Sequence, residues 1–149
     1  MAALAVASAA LPAAADEAGR GEALYRQDCA RCHGADLKGE PGWQTPSPDG
    51  RIKAPPHDES GHTWMHSTSE LLGLIKSGRG AAAAPGSVSE MPVFGDRLSD
   101  DDIRAVLDFI AGHWPPGYRA YQIMQEPGFD PARLPEGDWQ LPRLCLPAK

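Results

Sequence analysis

The five-residue run Cys29 to His33, which reads CARCH, constrains this chain more than any other feature. Two thiols at this spacing can reach the two vinyl groups of one haem, while the adjacent histidine reaches its iron. A thioredoxin-type redox pair shares the spacing, but it requires a strand-to-helix junction in a mixed α/β chain, and no such pattern is visible. A four-ligand zinc site needs a second ligand pair, and the only other cysteine is Cys145. We therefore predict one covalent haem c at Cys29 and Cys32, with His33 as an axial iron ligand.

A haem iron that transfers electrons needs a second protein ligand, and methionine is the usual one that raises the reduction potential. The candidates are Met65, Met91, Met124 and the histidines of the loop that ends at His66. Met91 is favoured because it lies in an irregular segment between two predicted helices and because Pro92 biases it to an extended backbone. The alternative is that Met91 only fills the core.

Several segments have helical spacing or helix-capping signals. Leu24, Tyr25, Cys29 and Cys32 are spaced as on one helix. Helices are also predicted after Ser67 and Ser99, each with an acidic residue three positions later, and a short helical piece is predicted over residues 117–125. We find no alternating strand pattern. The prediction is an all-α domain of three to five short helices around a covalently bound haem.

The ends of the chain differ in composition from its middle. Residues 1–15 form an uncharged, alanine-rich run that ends in small residues, which is typical of a secretory signal cleaved before Asp16. The run is too short for a membrane span, so no transmembrane anchor is expected in the mature chain. We predict a cytochrome domain over residues 16–114, an irregular proline-rich extension over 115–149, and a periplasmic or otherwise exported location.

The net charge of −6 and the pI near 5.3 argue against nucleic acid as the main partner. A basic redox protein, as electron donor or acceptor, suits this charge better. Composition does not identify either partner.

The chain resembles the class I cytochrome c family over roughly residues 19–114. The resemblance rests on CARCH, Ala54-Pro55-Pro56, the segment Met91 to Gly95 and the helix Leu98 to Trp114. It implies a fold in which the first and last helices cross, with Gly21 and Tyr25 near Phe109 and Ile110. It also implies that the Pro55 carbonyl accepts a hydrogen bond from Nδ1 of His33.

The same resemblance makes Trp64 and Arg79 candidates to reach the haem propionates. His57 departs from the family pattern, because many members have an apolar residue at this position, packed against the haem ring. A second metal site is a separate hypothesis, since His57, His62, Met65 and His66 could form a copper-binding set. Surface or propionate-contacting histidines are the alternative. The role of Cys145 stays open.

The predicted function is electron transfer by a monohaem cytochrome with His33 and Met91 as axial ligands, without enzymatic turnover. One alternative is a haem enzyme or gas sensor with an open sixth site. Another is an obligate electron-transfer subunit of a larger oxidoreductase.

Overall fold

The computed structural model describes residues 13–78 and 87–143, with side chains described from residue 19 onward. Within these ranges the chain is mostly helical. The α-helices are α1 (Ala13–Leu24), α2 (Ala30–His33), α3 (Thr68–Ser77), α4 (Asp100–Gly112) and α5 (Pro116–Met124). Single turns of other helical types cover Tyr25–Cys29, Thr63–Met65 and Pro131–Arg133, and two short strands are β1 (Arg51–Ile52) and β2 (Val88–Ser89).

A widened helical turn joins α1 to α2. Residues Tyr25–Cys29 adopt π-helical geometry, so the N–H of Ala30 donates to the carbonyl of Tyr25. Such turns are rare in proteins and often occur at functional sites. Here the turn leads directly into α2, which carries Cys32 and His33.

Side-chain caps define the starts of α3 and α4. The Ser67 hydroxyl accepts from the N–H of Glu70, and Ser99 and Asp102 form a reciprocal capping box. Three aspartates in the first turn of α4 also interact favourably with the helix dipole. Helix α3 ends at Gly78, whose φ of 65° is left-handed and suits glycine. Because these signals lie within one or two turns of chain, they could be read from the sequence.

Helix α1 crosses α4 as the resemblance implied. A Cβ atom on Gly21 would lie 2.1 Å from the Ala105 carbonyl oxygen, so the two backbones are in direct contact. The Tyr25 and Phe109 rings lie 5.2 Å apart, and Tyr25 shares its core cluster with Ile110. The residues at this crossing form the core against which Cys29 and Ala30 of the CARCH run pack.

Two short strands accompany the helices: β1 and β2 pair in parallel, with Arg51 opposite Val88 and Ile52 opposite Ser89. Strands of two residues are too short to show any alternation of polar and apolar positions. The pairing joins the loop after α2 to the segment that contains Met91.

Helix α5 packs on the 3-10 turn that contains Trp64. The Trp64 ring, which is fully buried, meets the rings of Tyr118 and Tyr121 edge-on at 4.8 and 5.4 Å. A carboxylate oxygen of Glu126 accepts from the N–H of Thr68 at 2.6 Å, at the start of α3. The chain beyond residue 114 therefore contributes to packing around the loop 57–66.

No helix among residues 13–78 and 87–143 is long and apolar enough to cross a membrane. The predicted signal sequence and Cys145 fall largely or wholly outside the described residues.

Candidate haem-binding cleft

A cleft opens between the CARCH run, helix α3, the Met91 segment and helix α4. Cys29, Cys32, His33 and Met91 all line it. The structure thus brings together the four residues that the sequence analysis selected, although Met91 is far from the other three along the chain. Of the other candidates for the second ligand, Met65 and Met124 do not line this cleft, whereas the loop histidines His57, His62 and His66 do.

Apolar side chains form most of the remaining wall. They come from α3, from the segment after Met91 and from α4: Leu71, Leu74, Ile75, Pro92, Phe94, Leu98, Ile103, Val106, Leu107 and Ile110. Such a wall suits a flat apolar macrocycle, because it removes the ring from water and lowers the local dielectric. The cleft residues therefore fit a haem.

Cys29 and Cys32 are not joined in a disulfide; Cys29 is half-buried and Cys32 is exposed. Burial, aided by the nearby charge of Asp28 and by Cys32, raises the pKa of the Cys29 thiol to about 11. Asp28 is itself paired with Arg97. A thiol with this pKa is protonated at neutral pH.

His33 is buried, and its Nδ1 lies 2.9 Å from the carbonyl oxygen of Pro55. Because a carbonyl only accepts, this contact places the ring proton on Nδ1 and leaves Nε2 as the nitrogen that can bind a metal. Burial lowers the pKa of His33, although the Pro55 contact opposes that shift. The neutral imidazole is the form that ligates iron.

His57 lies directly against His33. Their ring centroids are 4.0 Å apart, with an angle of 22° between the ring planes. Burial, followed by the neighbouring His33 and His62, holds the pKa of His57 well below its ordinary value. The residue that departs from the family pattern therefore stands as a neutral ring beside the predicted ligand.

Charged residues that the sequence analysis missed line the rim of the cleft. The Arg51 guanidinium makes a bidentate pair with Glu40, at 3.0 and 3.1 Å, and its Nε lies 3.7 Å from a carboxylate oxygen of Glu90. Glu40 also accepts from the N–H of Ala54 at 2.6 Å. These residues are too far apart along the chain for any periodicity to indicate their contact.

The expectation that Trp64 reaches the haem propionates is wrong. Its indole N–H donates to the Gly61 carbonyl at 3.1 Å, and its ring is buried under α5 and absent from the cleft wall. The aromatic residues of α5 hold Trp64 there, because they supply an apolar surface for its ring. They lie far along the chain, so the sequence pattern of the loop does not reveal this contact. Arg79, the other candidate, lies outside the described residues.

In the part of the chain that the structure describes, the hypothesised copper set does not come together as a metal site, which leaves the histidines as surface or propionate-contacting groups. His62 and His66 pack edge to face, with ring centroids 5.6 Å apart, and Nδ1 of His66 lies 3.3 Å from a carboxylate oxygen of Glu70. Among the described residues, no group of three or more His, Cys, Asp or Glu side chains could hold a metal ion. Met65 is partly exposed to solvent and outside the cleft.

Comparison with known protein families gives one match. Residues 16–110, more than half of the chain, match the family described as cytochrome c oxidase, cbb3-type, subunit III. No curated protein and no solved structure matches the chain significantly. The matched range contains the CARCH run, Met91 and most of α4.

Proposed function

The chain belongs to the c-type cytochrome family described as cytochrome c oxidase, cbb3-type, subunit III, and we propose that it carries electrons through one covalent haem c. Cys29 and Cys32 would hold the haem, and His33 and Met91 would be its axial ligands. The cleft carries this proposal, because it brings these four residues to one apolar space. When bound, the haem supplies an iron that cycles between Fe(II) and Fe(III).

The residues around His33 support its proposed role as an iron ligand. The Pro55 carbonyl holds the Nδ1 proton of His33, so the ring keeps one tautomer and one orientation. The apolar walls from α3 and α4 would shield a bound haem from water. A fixed imidazole in a dry cleft limits rearrangement when the charge on the iron changes, which favours electron transfer over ligand turnover.

The Met91 segment supports the second ligand. The N–H of Met91 lies 3.3 Å from the Ser89 hydroxyl, and Ser89 is paired with Ile52 in the short parallel ladder. Met91 is thus tied to the opposite loop rather than to helix α4. We propose that this tie keeps its thioether in the cleft.

The proposed organisation is a secretory signal at residues 1–15, the cytochrome domain at 16–114 and an extension at 115–149. The family match begins at residue 16, where the signal would end. An electron carrier in an exported compartment requires a redox donor and acceptor, and the acidic chain suits a basic partner.

Optical spectra of the haem-loaded wild type, Met91→Ala and the control Met65→Ala test the axial ligation. We expect a weak thioether-to-ferric band at the red end of the visible spectrum in wild type and Met65→Ala, and its loss in Met91→Ala. Carbon monoxide should bind reduced Met91→Ala about tenfold or more tightly than wild type, equivalent to at least about 1.4 kcal/mol, because no side chain competes for the iron.

Wild-type protein that lacks the thioether-to-ferric band and binds carbon monoxide readily would contradict Met91 as the iron ligand. That result would favour a haem enzyme or gas sensor with an open sixth site.

A second candidate is an electron-transfer subunit of a larger oxidoreductase. The family description, which names an oxidase subunit, favours it. Size-exclusion chromatography of the natively expressed protein distinguishes the two, since a free carrier elutes at the size of a single cytochrome chain and a subunit elutes with its complex.

A further inference from the structure

His57 stacks on His33 in the cleft, and the proposed ligation of the haem iron gives this contact no role. The rings are nearly parallel, with centroids 4.0 Å apart, and both residues line the cleft. The carbonyl of Pro55 constrains one edge of the His33 ring, but a single hydrogen bond permits the ring to rock about it. A second ring against the face of the first blocks that motion.

His57 is itself held on several sides. Its N–H donates to the Leu37 carbonyl at 2.7 Å, and its carbonyl accepts from the indole N–H of Trp114 at 2.7 Å. The ring Nδ1 lies 2.8 Å from the Thr63 hydroxyl, and the Tyr25 ring meets its edge. Because backbone and ring are both anchored, His57 presents a fixed surface to His33.

Resting on the proposed function, we propose that His57 has two effects on the haem site. It is a positioning residue that sets the rotational angle of the His33 imidazole. It is also a polar neighbour of that ligand and so lowers the reduction potential of the haem iron. An apolar side chain could fill the same space, but it would not supply a flat polar face. Polar groups next to an axial ligand favour the more positive ferric state, so their removal raises the potential.

The angle of an axial imidazole has a direct spectroscopic signature. In a ferric low-spin haem this angle, together with the orientation of the methionine thioether, determines which haem methyl groups receive most unpaired spin density, and the substitutions below leave the methionine unchanged. The pattern of shifted methyl resonances in the proton NMR spectrum therefore reports the angle of the His33 ring, independently of electron-transfer activity.

The test compares haem-loaded wild type with His57→Leu, Thr63→Val and His113→Leu. In His57→Leu we expect a changed methyl pattern and a several-fold larger ferrous fraction at a fixed applied potential. Thr63→Val keeps the His57 ring but removes its hydroxyl partner, so we expect smaller changes in the same direction. His113 is exposed and outside the cleft wall, so His113→Leu should match wild type.

The outcomes separate this inference from the proposed function. A His57→Leu protein with normal haem attachment and wild-type methyl pattern and potential would overturn the positioning role alone. Wild-type protein without a haem ligated by His33 would overturn both. If His57→Leu does not fold, Thr63→Val decides, and unchanged spectra in that variant reject the inference.

Discussion

Glu40 shows how one residue connects two segments of the loop that follows α2. Its carboxylate accepts both bonds from Arg51 and one from the N–H of Ala54, and its own N–H donates to the Ala54 carbonyl at 2.9 Å. Ala54 precedes Pro55, whose carbonyl orients His33. The position of that carbonyl thus depends on a carboxylate that no sequence motif singles out.

Glu40→Gln should lower the free energy of unfolding by about 1–2 kcal/mol at neutral pH, since charge-assisted hydrogen bonds are replaced by weaker ones. Hydrogen bonds from Arg51 and then from Ala54 lower the pKa of Glu40 in the folded protein. Its contribution is therefore present above the ordinary carboxyl pKa and is lost as the pH falls through the folded-state pKa.

Urea unfolding of the haem-loaded protein from pH 7 down to pH 3 measures this dependence. The gap between wild type and Glu40→Gln should narrow in acid. Glu136→Gln, an equal charge change at an exposed position, serves as the control. A gap that stays constant with pH would contradict the assigned role of the ionised carboxylate.

At the scale of elements, the crossing of α1 and α4 positions the CARCH run. The helices approach so closely at Gly21 that a side chain there has no space. Displacement of α1 would move the widened turn and α2, which follow it directly. The crossing therefore holds the side of the cleft that carries Cys32 and His33, although most of its contacts lie outside the cleft.

Gly21→Ala should destabilise the protein by about 3 kcal/mol or more, because the new Cβ would meet backbone atoms of α4 that cannot move independently. Gly19→Ala, in the same helix with nothing within 4 Å of the added Cβ, is the matched control. It should raise stability by about 0.5–1 kcal/mol through helix propensity. Thermal and urea unfolding compare the pair, and equal stabilities would refute the close crossing.

The chain after Trp114 packs against the helical domain that precedes it. Helix α5 covers Trp64, and Glu126 caps the start of α3. A Cβ on Gly117 would lie 1.8 Å from the Gln140 carbonyl oxygen, so the later chain passes directly over α5. The predicted boundary at residue 114 thus falls between segments that pack together.

Truncation after Trp114 should lower the free energy of unfolding by about 3 kcal/mol or more, since it exposes the buried Trp64 side chain. Truncation after Glu126 keeps α5 and the bond to Thr68, so it should cost less. Urea unfolding of the two shortened proteins and the full chain gives the comparison. If residues 1–114 are as stable as the full chain, the extension is an independent segment.

Features whose chemistry lies within a few neighbouring residues could be predicted from the sequence. The CARCH run specifies two thiols and an imidazole at fixed spacing, and the capping residues Ser67 and Ser99 specify where α3 and α4 begin. Three contacts became visible only in the folded chain: the stack of His57 on His33, the β1–β2 ladder and the burial of Trp64 under α5. The partners in these contacts are distant in the chain, so chain packing rather than any local pattern brings them together.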